Sequence, residues 1–436
     1  MSFVDLGLSQ PIINAVNEKG YNEPTRIQKE AIPVILEGHD VLAGAQTGSG
    51  KTASFVLPIL HMLSDKSVKG PSSGRPKIRA LILVPTRELA NQVRDNVEIY
   101  SKNLTLTCTE IIGGVGMKAQ VNRLRSRVDI LVATPGRLLD HVAQGTIDLT
   151  GIQILVLDEA DRMLDMGFIA NIKKIMALLP KNRQNLLFSA TFSAEIKKLA
   201  DGLLNNPRLI EAESNNSTAP LITHKIYPVD VEKKRDLLKH LIVMNNWQQV
   251  LVFTKTKHGA DKLAYFLEKN GIPSAALHGN KSQNVRTRTL SDFKESKIQV
   301  MVATDIAARG IDIIDLPYVV NFDLPNVPED YVHRIGRTGR AGKEGFAVSL
   351  VIKDDLRLLL DIEHKIQQKI DEEVVEGFKP TDYANFRVLN KAKKKPTQGQ
   401  VKTSATKTNA VSPNHKARAE GKKPYSSKTF TKKKPV

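Results

Sequence analysis

Residues 43–52 read AGAQTGSGKT, one glycine short of the loop that holds nucleoside triphosphates. The usual spacing is G-x-x-x-x-G-K-[ST]. Here Ala45 stands where the first glycine belongs, Gly50, Lys51 and Thr52 complete the pattern, and Gln46, Thr47, Gly48 and Ser49 fill the interval. These residues are suited to gripping phosphate. Gly48 and Gly50 let backbone N–H groups turn inward onto phosphate oxygens, and a helix N-terminus adds partial positive charge. Lys51 would reach the β- and γ-phosphates and Thr52 would ligate Mg²⁺. Such a loop must join a strand to a helix. DVLAGA (40–45) reads as the strand and KTASFVLPILHML (51–63) as the helix.

A second chemical signal is ILVLDEAD (154–161), an apolar run that stops at carboxylates. Unpartnered buried charge is expensive, so acids at a strand end need a reason. Asp158 is placed to hold Mg²⁺, and Glu159 to orient or deprotonate an attacking water. Asp161 is expected to link this site to a neighbouring segment. Acids in such a place can also be plain helix caps.

Short Val/Ile/Leu runs recur at 80–85, 129–134, 185–191, 250–256, 274–279, 300–305, 318–323 and 346–351, with helical patterns such as 87–100 and 257–271 between them. Continuous apolar runs bounded by turn residues read as strands buried on both faces, and alternation with helices implies parallel sheets. The pattern breaks at EAESNNSTAPLITHK (211–225), which reads as a linker between two α/β units rather than part of one long sheet.

The chain has 436 residues and a formal charge of +18. From Lys391 onward there are fourteen Lys and Arg and one acid. That tail has too little apolar surface to offset chain entropy, so it is expected to be disordered, and its charge favours a polyanion through counterion release. No apolar run has the length of a membrane span, and the first residues carry no pattern of a secretory signal. A single cysteine, Cys108, excludes an intrachain disulfide and fits a reducing cytoplasm.

With AQTGSGKT and DEAD stand GYNEPTRIQ (20–28), PTREL (85–89), GG (113–114), TPGR (134–137), SAT (189–191), TDIAARGID (304–312) and HRIGRTGR (333–340). In this order they resemble the DEAD-box ATP-dependent RNA helicases, where Ala opens the phosphate loop. DEADRMLDMGF, NLLFSATF and NVPEDYVHRIGRTGRA look closest to the bacterial RhlE-type members. The resemblance runs through residues 1–375. It implies two tandem RecA-like, doubly wound parallel-sheet domains: 1–210, a linker at 211–223, and 224–375, with 376–436 as a basic disordered tail.

The resemblance implies roles for further residues. Gln28 would pair with adenine through its amide, Tyr21 would stack on the base, and Phe3 would support that pocket. Three arginines crowd HRIGRTGR, and the resemblance makes Arg337 and Arg340 the γ-phosphate contacts, with His333 linking the motif to the site and Asp312 reaching the ribose. Because phosphate loop and arginines lie in different units, ATP must bridge a cleft. Thr86, Arg87, Gly113, Gly114, Thr134 and Arg137 suit phosphate and sugar contacts to a nucleic-acid strand. The family's counterparts in the second unit fall at Thr254, Gly279, Arg286 and Thr304. Contacts to 2′-OH groups would select RNA. The SAT segment (Ser189, Ala190, Thr191) would couple the acids to that groove. The expected activity is RNA-stimulated ATP hydrolysis that separates short duplexes or remodels ribonucleoprotein, with ribosome assembly, RNA decay and cold adaptation all open as settings. Two other readings remain: a DNA helicase on the same two-unit engine, and a non-enzymatic RNA clamp whose binding comes from the tail.

Overall fold

The computed structural model describes residues 2–44, 48–64, 77–211, 222–308, 313, 316–339 and 344–383. Seven strands come first: β1 Val41–Gly44, β2 Ala80–Leu83, β3 Cys108–Ile111, β4 Ile130–Ala133, β5 Ile154–Leu157, β6 Gln184–Ser189 and β7 Arg208–Glu211. Seven follow: β8 Ile222–Pro228, β9 Val250–Phe253, β10 Ser274–Leu277, β11 Val300–Ala303, β12 Tyr318–Asn321, β13 Gly345–Val351 and β14 Asp371–Glu372. They form two seven-stranded sheets, ordered β3-β4-β2-β5-β6-β1-β7 and β10-β11-β9-β12-β13-β8-β14. Adding seven to each number of the first order gives the second, so the two sheets share one topology. The pairings within both are parallel.

The apolar runs are continuous because each strand is covered on both faces. In β2, Ala80 and Ile82 enter one core cluster and Leu81 and Leu83 the other. In β5, Ile154 and Val156 part from Leu155 and Leu157 in the same way. Period-two alternation thus divides side chains between two helix layers, as a doubly wound sheet requires. With all strands parallel, every C-terminal strand end falls on one edge of its sheet. Ligand sites of open α/β sheets form along that edge.

The structure corrects the sequence reading at the sheet margins. Strands β3, β7, β8 and β14 were not among the expected runs. In β7 (RLIE) only Ile210 is buried, so an edge strand leaves no apolar run to see. The linker reading of 211–225 overshoots at both ends: Glu211 closes β7 and Ile222 opens β8, while 212–221 lie outside the described residues. Residues 376–383, assigned to the tail, pack on the second sheet's core. Phe378 lies against one core cluster and His240 (ring centroids 5.3 Å apart), and Tyr383 lies against another. Their apolar side chains precede the basic run, which begins at Lys391. The expected disorder of the remaining tail falls outside the described residues.

One strand residue makes stability depend on pH. His224 in β8 is buried, and its Nδ1 lies 2.9 Å from the Tyr331 hydroxyl. Burial pushes the imidazole down to about 4, against about 6.5 in an unfolded chain. A depressed folded value means that stability is complete above about pH 6.5 and is lost as the pH falls toward 4. Between pH 7 and pH 5 the native chain should lose about 2 kcal/mol more than a His224→Gln variant. Denaturant unfolding of both at the two pH values checks this, and equal losses would contradict it.

Candidate active site and nucleic-acid groove

The phosphate loop leaves β1 and enters the helix Lys51–Ser64 directly. Gly48 and Gly50 have φ of +83° and +91°, the left-handed region that favours glycine. At Gly50 an added Cβ would lie 2.5 Å from Gln28 Nε2 and 2.9 Å from Thr25 Oγ1, so a side chain there would strain the backbone and displace the Gln28 amide. Lys51 is 7% exposed, and its Nζ is buried without a hydrogen-bond partner among the described residues. An orphaned ammonium at a helix N-terminus, beside inward-turned glycines, fits a polyphosphate. Thr52 follows on the first helical turn, half-buried. Ala45, Gln46 and Thr47 lie outside the described residues.

Gln28 sits in the first turn of the helix Arg26–Leu36 and is nearly fully buried. Its Oε1 accepts the Thr25 N–H (2.9 Å) and its Nε2 donates to the Gly50 carbonyl (3.1 Å). Both ends of the amide are therefore spent on protein in this structure, one of them on the phosphate loop itself. Phe3 is buried in the core, whereas Tyr21 keeps 44% of its surface exposed.

At the end of β5, Asp158 is 2% exposed and accepts the Glu159 N–H (2.9 Å). Burial raises its carboxyl well above the usual range; the Lys51 ammonium opposes the shift and the Glu159 charge adds to it. Such a group is held as an anion by a cation alongside it, which fits a divalent ion at Asp158. Glu159 adopts φ 52° and ψ 51° as the N-cap of the helix Ala160–Asp165, and its Oε2 pairs with Arg162 Nη1 at 2.8 Å. Asp161 reaches the neighbouring segment as expected: its Oδ2 accepts the Ala190 N–H at 3.1 Å.

In the second sheet's domain, His333 and Arg334 close the helix Pro328–Ile335 and Arg337 follows it. Arg334, which the sequence places in one cationic cluster with Arg337 and Arg340, has a different job. Its Nε and Nη2 grip both Asp305 oxygens at 2.6 and 2.7 Å. Its Nη1 donates to Asn321 Oδ1 (3.0 Å) and the Asp323 carbonyl (2.6 Å), and the guanidinium lies 4.9 Å from the Phe253 ring centroid. At 2% exposure it is an internal brace. Arg334→Ala strands Asp305 and should cost about 3–5 kcal/mol of stability, seen as a lower unfolding midpoint; an unchanged midpoint would contradict the brace. Arg337 (4% exposed) and His333 border a small cavity whose facing wall carries Arg162 of the first domain. Arg340 and Asp312 lie outside the described residues.

The expected groove residues also gather, with partners the sequence did not show. Thr86 caps the helix Arg87–Tyr100, its hydroxyl accepting the Leu89 N–H at 3.3 Å. Gly113 and Gly114 carry the Arg87 guanidinium rather than standing bare: a Cβ on Gly114 (φ +74°) would meet Arg87 Nη1 at 2.1 Å. Arg137 donates to the Val115 carbonyl (2.7 Å), and Thr134 starts the helix Pro135–Ala143. From the second domain, Arg286 Nη2 meets Glu88 Oε2 at 2.8 Å and Gln283 Nε2 donates to Glu88 Oε1 at 3.1 Å. Burial and the nearby Arg286 and Arg137 charges lower the Arg87 pKa, against the pull of Glu88. Arg286 and Arg137 thus crowd Arg87, with Glu88 holding Arg286 and Asp140 holding Arg137 (3.3 Å), and an anionic strand would relieve the mutual repulsion. Thr254 and Thr304 follow β9 and β11 directly, and Gly279 stands just past β10 beside Lys257. Glu88, Arg162 and Asp305 were missed as site residues. Each is a charge inside a motif, and that was the available signal.

Two family models match the chain: "DEAD/DEAH box helicase" over residues 25–199 and "Helicase conserved C-terminal domain" over 233–342. A DEAD-box ATP-dependent RNA helicase RhpA of Helicobacter pylori is 41% identical over 373 residues, 86% of this chain and 73% of that protein. The ATP-dependent RNA helicase CshA of Listeria monocytogenes is 40% identical over 368 residues, 84% of this chain and 69% of that one. Among solved structures, S. cerevisiae Dbp5 bound to RNA and ADP BeF3 aligns with a TM-score of 0.75 and 32% identity, over 89% of this chain and 99% of that chain. Mss116p bound to ssRNA and AMP-PNP aligns with a TM-score of 0.76 and 29% identity, over 86% and 80%. Among the described residues, no helix is long and apolar enough to cross a membrane.

Proposed function

This chain belongs to the DEAD-box ATP-dependent RNA helicases, and on that premise we propose that its two domains close over ATP and an RNA strand together, hydrolyse the ATP and locally separate the strand from its partner. The observation that carries the reading is the orphaned Lys51 ammonium beside buried Asp158. Among the described residues nothing neutralises that lysine by a hydrogen bond, and a β,γ-phosphate would.

The residues divide the work. Gly48, Gly50 and the helix N-terminus hold the phosphates with Lys51. Gln28 reads adenine by exchanging its protein contacts for the base edge, with Tyr21 stacked on the base and Asp312 on the ribose; its bond to Gly50 makes that exchange felt at the phosphate loop. Thr52 and Asp158 would hold Mg²⁺, which when bound neutralises charge between the β- and γ-phosphates. Glu159 takes or orients the proton of the attacking water. Arg337 and Arg340, assisted by His333, stabilise charge on the transferring phosphoryl group from the opposite domain.

RNA supplies the second half of closure. Arg87, Arg137 and Arg286, with Thr86, Thr134, Thr254, Thr304 and the Gly113, Gly114 and Gly279 backbone, take its phosphates and sugars without reading bases. Each ligand favours the same closed state, so each raises the other's affinity. A groove shaped for one bent strand rejects a straight duplex, and strand separation follows. Phosphate loss then reopens the cleft.

DEADRMLDMGF and NVPEDYVHRIGRTGRA support a place near the bacterial RhlE-type members, and the single cysteine fits a cytoplasmic setting; ribosome assembly, RNA decay and cold adaptation are all open as settings for its RNA. The basic residues after Lys391 would add sequence-independent, salt-sensitive RNA affinity.

The experiment is a coupling measurement. RNA affinity of the full chain is determined with and without a non-hydrolysable ATP analogue, and the analogue's affinity with and without RNA. The reading expects equal factors, about 5–150-fold. Independent binding would reject closure by both ligands, and equal coupling to DNA of the same length would favour the DNA helicase instead.

A further inference from the structure

Arg162 directly follows the acidic run and lies in the short helix Ala160–Asp165. Its guanidinium pairs with Glu159 at 2.8 Å, and the two side chains are 3% and 7% exposed. Three observations separate this contact from ordinary packing. First, Glu159 holds a left-handed backbone without being glycine. Such a conformation is disfavoured for a residue with a side chain and persists only where the surroundings impose it. Second, the Arg162 backbone N–H donates to Asp161 Oδ1 at 3.0 Å, and Asp161 Oδ2 accepts the Ala190 N–H at 3.1 Å. Arg162 is thereby tied to the 189–191 segment as well as to Glu159. Third, its side chain borders the cavity whose opposite wall carries His333 and Arg337.

We infer that Arg162 is a positioning residue for hydrolysis. Its guanidinium fixes the direction of the Glu159 carboxylate at the border of the cavity that His333 and Arg337 of the second domain also line. A planar, always-charged fork is suited to this, since it holds a carboxylate in one plane. The inference rests on the proposed action of Glu159 on water.

The test uses the full chain with Arg162→Ala, Arg162→Lys, Glu159→Gln and the double variant Glu159→Gln/Arg162→Ala. It measures kcat and KM for ATP at saturating RNA, together with RNA affinity in a non-hydrolysable ATP analogue. Arg162→Ala should lower kcat by about 30- to 100-fold, the scale of a misplaced catalytic group. KM for ATP and analogue-supported RNA affinity should stay within about threefold of the native chain, a split that a merely structural arginine would not give. Arg162→Lys should recover part of the loss. The double variant should be no slower than Glu159→Gln alone, because both changes act through one carboxylate. If the alanine variant does not fold, Arg162→Met keeps the volume of the stem and is read in the same way.

A kcat within threefold of native, a kcat loss matched by lost RNA binding, or losses that multiply in the double variant would each overturn the inference. If Glu159→Gln itself keeps full turnover, the reading of Glu159 fails. If Glu159→Gln is inactive and Arg162→Ala is native-like, only the role of Arg162 fails.

Discussion

Glu159→Gln should reduce RNA-stimulated ATP turnover by about 10²–10⁴-fold, the contribution of a positioned general base. RNA binding in the presence of ATP should survive. The amide keeps the volume of the carboxylate and can still meet Arg162, whereas it cannot take a proton. The substitution also removes a negative charge that raises the protonation of Asp158, so KM for ATP should hold or fall. Steady-state turnover and ATP-dependent RNA binding, measured on one preparation, separate the two effects. Native-like turnover would remove Glu159 from the chemistry and revive the clamp reading, in which binding needs no hydrolysis.

A loss of comparable or larger size is expected in the other domain. Arg337→Ala should lower kcat by about 10³–10⁵-fold, the scale of an arginine finger acting on a transferring phosphoryl group. Arg337→Lys should stay well below native, since an ammonium lacks the two-pronged donor geometry. The contrast with Arg334 makes this specific. Arg334 is consumed by Asp305, Asn321 and the Asp323 carbonyl, so its loss appears in the unfolding midpoint. Arg337 borders the cavity that Arg162 and Arg334 also line, and on its proposed action at the phosphoryl group its loss should appear in kcat. Turnover at saturating ATP and RNA, set beside denaturant unfolding of both variants, checks the division. Equal stability losses with equal turnover would contradict it.

Much of the fold was legible because its signals are local. A strand covered on both faces must be apolar at every position, and β2, β4 and β5 announce themselves for that reason. Edge strands are half-solvated and give no such run, which hid β7 and β14. The phosphate loop and the acidic run were legible on the same principle: glycines that must turn inward, and carboxylates that interrupt a buried strand. Pairings between distant segments were not legible. The sequence offers Glu88 and Arg286 as separate charges in separate units, and only the fold brings them within 2.8 Å. Gly113 and Gly114 carried the right residue type for a nucleic-acid backbone. That an arginine side chain from the start of the helix Arg87–Tyr100 lies over them is a fact of packing. Arg334 shows the same limit from the other side: three arginines in eight residues read as one cluster until Asp305 claims one of them.

The central claim is that phosphates gripped by one domain meet arginines of the other only while RNA lies across both. The most direct test is kcat for ATP hydrolysis by the full chain without nucleic acid, with single-stranded RNA, and with DNA of the same length and sequence. The account predicts slow turnover alone and with DNA, and turnover raised at least about tenfold by RNA, the effect of roughly 1.4 kcal/mol of barrier. Turnover that is equally fast in all three conditions would contradict it.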